Sequence, residues 1–180
     1  MIWFGVFIAV LFVGVQEVKT QKQGPEFYQF DNLFINAAKK YGVNWRWLKA
    51  IAMNESSLGQ APSVKKGLLN PSDVQSSKSS DGLSWGIMQV TLKTAKSMDP
   101  KATEVKLNDP IYSVDLAAKY ISQLKAYYSQ TDPRFIEWIV KSYNQGPGNT
   151  RKEIQGNKGY ADEYWARFQR NLTKINEVQP

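Results

Sequence analysis

Apolar side chains recur at helical spacing along most of the chain, in segments separated by capping and turn residues. From Phe27 to Tyr41 they fall three or four positions apart, and Gly42 follows as the expected end of a first helix. Asn44 is then placed to cap a second helix that runs to about Ser56. The spacing therefore predicts two amphipathic helices in succession.

The same period returns in the second half of the chain and predicts further helices. Their limits are marked by cap and turn residues: Thr91, Asp109-Pro110, Asp132-Pro133 and Gly146-Pro147-Gly148, with a last helix from about Tyr160 through Leu172. Residues 57–83 lack this period and include a serine-rich stretch, so they are predicted to form a long loop excursion. The sequence contains no strand-rich block, and the predicted fold class is mainly α.

The first 26 residues differ from the rest of the chain. Residues 1–15 are an unbroken run of apolar residues and glycine, which as a helix would reach roughly 22 Å, short of the ~30 Å hydrocarbon core. They are predicted to be a short apolar helix that serves as a signal sequence or as a membrane anchor. Residues 16–26 are polar with a Gly-Pro pair and predict a linker, which leaves 27–180 as the folded domain.

Composition narrows the chemistry that this domain can perform. The chain has 180 residues, enough for one domain, and contains neither Cys nor His. Disulfides, thiolate zinc sites and histidine-based triads are therefore excluded, so acid–base catalysis falls to carboxylates, Lys, Tyr or the backbone. The formal net charge of +7 favours an acidic polymer as partner, unless the lysines serve only solubility. Nucleic acid is not expected, because the basic residues are scattered and no nucleic-acid-binding motif is present.

Glu55 breaks the pattern of its helix. It follows Ile51 by four positions and Leu48 by seven, which places it within about 40° of both on the apolar face. Burial of a carboxylate there favours its neutral form, and a neutral carboxylic acid near pH 7 is what a general acid requires. The alternative is a glutamate at the helix end that turns to solvent or pairs with a lysine.

Four motifs in order support the catalytic interpretation of Glu55. They are Glu55-Ser56, Gly86-Ile87-Met88-Gln89, Ala117-Ala118-Lys119-Tyr120-Ile121 and Tyr143-Asn144-Gln145-Gly146. This ordered set resembles the lytic transglycosylase domain of the soluble type, whose scaffold is shared by goose-type lysozymes. The resemblance covers roughly residues 28–170, and Tyr160 lies where that family carries another tyrosine.

The resemblance implies a lysozyme-like helical fold with a substrate cleft and a peptidoglycan substrate. Members of the family cleave the β-1,4 bond between N-acetylmuramic acid and N-acetylglucosamine without water and leave a 1,6-anhydro end. By this analogy Glu55 is the catalytic acid and then the base, and no metal or cofactor is needed. The predicted substrate-binding residues are Ser56, Ser84, Trp85, Gln89, Tyr143, Asn144 and Tyr160.

Two departures from the family pattern keep an alternative open. The interval from Glu55 to Gln89 is 34 residues, longer than expected, and the serine-rich stretch within it contains Asp81. If Asp81 reached across the cleft to hold a water, the enzyme could be an inverting hydrolase of the goose-lysozyme kind. Asp81 followed by Gly82 is also a common turn pair, and we expect that role instead. The second departure is Gln145, where an alanine is usual.

Substrate and leader together predict where the domain works. It is expected outside the cytoplasm at the bacterial cell wall, periplasmic or held at the membrane through residues 1–15. A phage virion or a secretion or conjugation apparatus would also suit so small a wall-degrading domain. The rival from another class is a non-enzymatic basic module that binds the wall or single-stranded nucleic acid.

Overall fold

The computed structural model describes residues 23–178, and this part of the chain is mainly helical. After a single 3₁₀ turn at Pro25–Phe27, the elements are α1 Asp31–Tyr41, α2 Trp45–Ser56, α3 Pro62–Leu69, β1 Ser84–Trp85, β2 Val90–Thr91, α4 Leu92–Met98, α5 Glu104–Asn108, α6 Pro110–Lys125, α7 Phe135–Gln145, α8 Pro147–Ile154 and α9 Asp162–Val178. The predicted mainly α fold is confirmed. The predicted apolar helix at residues 1–15 lies outside the described residues.

Helix boundaries follow the predicted caps at several places. The side chains of Asn44, Thr91 and Asp109 each accept a hydrogen bond from a backbone N–H two or three residues further on. Gly42 adopts the left-handed conformation, with φ of 63°, and ends α1. The first predicted helix begins later than its apolar period, because Phe27 belongs to the 3₁₀ turn and α1 starts at Asp31.

Asp132 is not the helix cap that the sequence predicted. Its carboxylate accepts hydrogen bonds from the backbone of Arg134 at 2.7 Å and from the indole of Trp138 at 3.1 Å. Those bonds close a turn, and α7 begins only at Phe135. The last helix likewise begins at Asp162 rather than Tyr160 and continues beyond Leu172.

Three short helices and a two-stranded hairpin were not predicted. Helix α3 lies within the stretch expected to be loop, α5 precedes Asp109, and α8 begins at Pro147, where only a helix end was expected. Helix α8 buries only Thr150, so it has no apolar stripe for a periodic pattern to detect. In the hairpin, β1 and β2 pair antiparallel with Ser84 opposite Thr91.

Helix α2 lies at the centre of the domain. It packs most extensively against α9 and also against α1, and its apolar face buries Leu48 and Ile51 completely. From α9, Phe168 is fully buried in the same core. No helix among residues 23–178 is long and apolar enough to cross a membrane.

A buried lysine joins the last three helices. Lys141 of α7 is 1% exposed, and its ammonium contacts Glu137 at 3.0 Å together with Glu153 of α8 and Asp162 of α9. These carboxylates hold the pKa of Lys141 above its usual value despite burial. The buried ammonium depends mainly on Glu137 and Glu153, because loss of a buried partner is costly. Asp162, whose side chain is 80% exposed, adds a weaker link from α7 to α9.

Three hydrogen bonds from two side chains hold the loop between α3 and β1 against the domain. The amide of Asn108 donates to Pro71 O at 3.0 Å and to Ser77 Oγ at 2.8 Å. The indole of Trp85 donates to Val74 O at 3.0 Å. The loop between α3 and β1 therefore has a fixed course along the side of the domain.

Gly86 is required by the packing between the hairpin and α5. Its φ is 75°, and a Cβ at this position would lie 1.8 Å from the backbone oxygen of Leu107. Gly42 has a similar φ of 63°, but nothing lies within 4 Å of the place its Cβ would take. The two glycines thus separate the effect of backbone conformation from that of close approach.

We expect Gly86→Ala to destabilise the domain far more than Gly42→Ala. The Gly42 change should cost about 1 kcal/mol for the left-handed conformation. The Gly86 change adds overpacking and should cost about 2 to 4 kcal/mol. Chemical unfolding of both variants measures the difference. Equal losses would show that Leu107 does not constrain this turn.

Candidate active site

A cleft opens between the end of α2, the hairpin, α6 and α7. Six of its lining residues were predicted site residues: Glu55, Asp81, Ser84, Gln89, Tyr143 and Asn144. Four others were not predicted: Val90, Thr91, Thr94 and Tyr120. Most of the chemistry-bearing positions taken from three separate motifs therefore meet around one cavity.

Glu55 stands in the last turn of α2, with its carboxyl group at the cleft wall. The phenol of Tyr164 in α9 donates to its Oε1 at 2.6 Å. Burial raises the pKa of Glu55 to about 7, an effect partly opposed by the Tyr164 hydrogen bond and the positive charge of Arg167. The negative charge of Asp81 adds to the rise. Glu55 is thus substantially protonated at neutral pH, the condition that a general acid requires.

Two tyrosines frame the cleft close to Glu55. The hydroxyl of Tyr143 donates to Met88 O at 2.8 Å, and its ring lies 5.8 Å from the ring of Tyr120. Burial is the main cause that raises the pKa of Tyr143 well above its usual value, and it raises that of Tyr120 to about 12. Both phenols stay protonated, so they offer neutral hydroxyls and aromatic faces to a ligand.

Gln89 is held in a tight turn at the tip of the hairpin. Its φ is 46°, and both its backbone N–H and its side-chain Nε2 donate to Gly86 O, at 3.1 Å and 2.9 Å. The amide is therefore fixed through its nitrogen, which leaves the carbonyl oxygen as an acceptor for substrate. Asn144 is exposed near the end of α7 and lines the same cleft.

Asp81 is both a turn residue and a residue of the cleft, the two positions that the sequence left open. Its carboxylate accepts hydrogen bonds from the Ser79 hydroxyl and from Leu83 N, the latter at 2.9 Å, which closes the turn before Gly82. These bonds hold the pKa of Asp81 below its usual value. The same residue lines the cleft with Glu55. An ionised carboxylate and a protonated one thus border a single cavity.

Three predicted substrate-binding residues do not line this cleft. Ser56 is 1% exposed, and its hydroxyl donates to Ile87 O at 2.7 Å and accepts from Gly59 N at 2.9 Å. It ties the end of α2 to the hairpin turn. Trp85 is mostly buried beside the inserted loop. Tyr160 is 76% exposed, and its backbone N–H donates to Gln145 Oε1 at 2.9 Å. Sugar contacts by these three residues stay predictions.

The tyrosine that contacts Glu55 is Tyr164, which lies within the predicted last helix but is not among the predicted site residues. It lies 109 positions from Glu55 along the chain. Arg167, whose charge acts on Glu55, follows one turn later on α9. Helical spacing places these residues on α9 but gives no sign of which helix end they approach.

One carboxylate cluster among residues 23–178 is compact enough to hold a cation. Glu137, Glu153 and Asp162 present oxygens within 4.8 Å of one another. The Lys141 ammonium contacts all three, so a protein cation already occupies the place that a metal ion would take.

A helical domain with an acidic side chain on a cleft wall is the arrangement expected of a lysozyme-like fold. The family model described as Transglycosylase SLT domain matches residues 32–166, and the chain belongs to this family.

Two known proteins are similar to most of the chain. Membrane-bound lytic murein transglycosylase F of Stutzerimonas stutzeri (strain A1501) is 23% identical over 155 residues, which cover 84% of this chain and 28% of that protein. The X-ray structure of an inactive mutant of lytic transglycosylase Slt from Pseudomonas aeruginosa aligns with a TM-score of 0.54 and 23% identity. That alignment covers 84% of this chain and 23% of the other, and it shows the shared fold. The chain thus spans less than a third of either protein.

We expect Glu55→Gln to stabilise the domain in a pH-dependent way. The folded-state pKa of Glu55 is about 7, above the ordinary 4.5, so its ionisation disfavours folding. The favourable contribution of the neutral Glu55 carboxyl group to the free energy of unfolding is full below pH 4.5 and is lost as the pH rises through 7. Relative to the parent, the variant should gain up to about 3 kcal/mol between pH 5 and pH 8.

Chemical unfolding at both pH values measures this gain. The exposed Glu177 provides the matched control, because Glu177→Gln should show no such pH-dependent difference. If Glu55→Gln gave the same stability difference at both pH values, the carboxyl group would not be held protonated by burial.

Proposed function

We propose that this domain is a peptidoglycan lytic transglycosylase. It cleaves the β-1,4 bond from N-acetylmuramic acid to N-acetylglucosamine and forms a 1,6-anhydromuramic end. The observation that carries the proposal is Glu55, a carboxylic acid with a pKa of about 7 on the wall of a polar cleft. Membership of the family supports the same reaction, and the two similar proteins are both named lytic transglycosylases.

In the first step Glu55 protonates the glycosidic oxygen. The bond from the anomeric carbon to that oxygen breaks, the leaving sugar departs with a hydroxyl, and the anomeric centre becomes oxocarbenium-like. Tyr164 donates to Oε1 throughout, which orients the carboxyl group and directs Oε2 to the substrate. The nearby ionised Asp81 stabilises the positive charge that develops in the cleft.

In the second step the Glu55 carboxylate acts as the base. It takes the proton of the muramyl C6 hydroxyl, and the freed oxygen attacks the anomeric carbon to close the anhydro ring. Glu55 ends protonated, and no water is consumed. Because the nucleophile belongs to the substrate, one carboxyl group serves both steps and positioning supplies much of the rate.

The remaining cleft residues bind the glycan. The fixed carbonyl oxygen of Gln89 and the amide of Asn144 suit the acetamido and hydroxyl groups of the sugars. Tyr143 and Tyr120 add aromatic faces beside Glu55. The net charge of +7 fits a polymer whose peptides carry carboxylates.

Two features support a proposed place of action: the substrate, and the apolar sequence that precedes the described residues. Residues 27–180 would form the catalytic domain and act at the cell wall, outside the cytoplasm. Residues 1–15 would serve as signal or anchor, with 16–26 as linker. The similar protein of Stutzerimonas stutzeri is named membrane-bound, which supports a site of action at the membrane. A phage virion or a secretion or conjugation apparatus is proposed as an alternative setting for a wall-degrading domain.

We expect purified protein to release anhydro-muropeptides from sacculi, each lighter by one water than the hydrolysis product. Mass spectrometry after digestion in heavy-oxygen water checks both points, because a lyase incorporates no label. Glu55→Gln should lower the rate about 1,000-fold or more, since it removes the acid and the base together.

The Glu177→Gln variant serves again as control and should retain the parent rate. Products that carry reducing muramic acid with the heavy label would support the goose-lysozyme alternative, in which Asp81 holds the water.

The pH dependence of kcat/KM should follow the protonation of Glu55. The rate on soluble glycan should fall as the pH rises through about 7. Asp81→Asn removes a charge that raises the pKa of Glu55, so this limb should move to lower pH. Arg167→Gln removes a charge that lowers it, so the limb should move to higher pH. A pH–rate profile for each variant tests the opposite directions.

This pair of variants also separates the two mechanisms. If the enzyme is a lyase, the Asp81→Asn variant should keep measurable cleavage, and the fall in its rate should occur at lower pH. Loss of cleavage at every pH would instead make Asp81 an essential base and favour the hydrolase.

A further inference from the structure

An apolar cavity adjoins the candidate active site along the hairpin. It is lined by Leu83, Trp85, Thr91, Leu92 and Lys93 and has a volume of about 370 Å³. We call this apolar cavity, with its five lining residues, the ledge. Thr91 lines both the ledge and the cleft that contains Glu55, so the two cavities are neighbours.

The ledge includes an apolar side chain that is exposed and is not part of the hydrophobic core. Leu83 is 60% exposed although it follows directly on the turn that positions Asp81. Trp85 is anchored through its indole N–H to Val74, so its ring is a rigid wall of the ledge. Leu83 therefore presents apolar surface directly beside the cleft, where a ligand that extends out of the cleft would contact it.

The chemistry of the ledge differs from that of the cleft. The cleft offers Asp81, Gln89 and Asn144 to a sugar. In the ledge, the Thr91 hydroxyl is engaged with Thr94 at the start of α4, which leaves the exposed Lys93 ammonium as the polar group at hand. A sugar ring placed there would lose hydrogen bonds of its hydroxyls without replacement. The ledge instead suits small apolar groups that are linked to a carboxylate.

We propose that the ledge binds the peptide attached to the muramyl sugar. This inference rests on the proposed function. Peptidoglycan stem peptides branch from the glycan next to the bond that is cleaved, and they carry alanyl methyl groups together with carboxylates. With the glycan beside Glu55, the peptide crosses Thr91 onto Leu83 and Trp85, and Lys93 pairs with its carboxylate.

The test compares the same glycan with and without its peptides. The double variant Leu83→Ser/Lys93→Glu removes an exposed apolar contact and reverses the charge. Its matched control is Leu69→Ser/Lys65→Glu, which makes the same changes at exposed positions of α3 that line neither cavity. Initial rates of anhydro-product release are measured for the full-length protein on peptide-bearing strands and on strands freed of peptide by an amidase.

We expect the ledge variant to lose about tenfold in rate on peptide-bearing strands and to stay within about twofold of the parent on peptide-free strands. The control should match the parent on both substrates. An equal loss on both substrates would make the ledge a sugar contact or a folding determinant and overturn the proposal. Unchanged rates on both would overturn it as well.

A binding measurement keeps this test independent of catalysis. Calorimetric titration of Glu55→Gln with a disaccharide-tetrapeptide and with the same disaccharide without peptide gives the contribution of the peptide. That contribution should disappear when the two ledge substitutions are added. If it persists, the ledge does not bind the peptide. A parent that binds the peptide through the ledge but forms no anhydro product would refute the proposed function alone.

Discussion

The hydrogen bond from Tyr164 to Glu55 is the contact on which the rest of the site depends. It joins α9 to the last turn of α2, the two helices that pack most extensively against each other. That packing buries the carboxyl group and raises its pKa to about 7. The Tyr164 hydrogen bond alone would lower the pKa, so it orients the acid while burial sets the protonation state. Orientation and protonation therefore come from the same interface but from different causes.

The Lys141 network adds a link between α7 and α9. Lys141 and Tyr143 lie on one helix, and the network connects that helix to Asp162 at the start of the helix that carries Tyr164. One buried ammonium thus contacts both of the helices that supply tyrosines near Glu55. Gln145 strengthens this link, since its amide nitrogen donates to Glu153 and its oxygen accepts from Tyr160. Gln145 thus has a structural role in the connection between α7 and α8.

How far the sequence predicts the site depends on whether the signal is local. Glu55 could be found because an acidic residue on an apolar helix face departs from a period of a few residues. Tyr164 could not be singled out, because in the sequence it is one apolar helix position among several. Its partner Glu55 lies 109 residues away, beyond the reach of any local pattern. Tyr160 was chosen on family position, but it lies exposed before α9 begins. Helix α8 was not predicted, since it buries a single residue and shows no apolar period. Asp132 was predicted to cap a helix but closes a turn, because an aspartate before proline suits either role.

The loop between α3 and β1 brings polar and apolar side chains to the edge of the cleft. Asn108 and Trp85 fasten this loop at Pro71, Val74 and Ser77, so its far end reaches the cleft with a defined geometry. That end supplies both Asp81 and Leu83, two residues apart, one facing the acid and one facing the ledge. Gly82, whose φ is 71°, turns the chain between these two residues, so a single short segment can serve two neighbouring cavities. The helices thereby carry the acid, and the loop between them determines what surrounds the scissile bond.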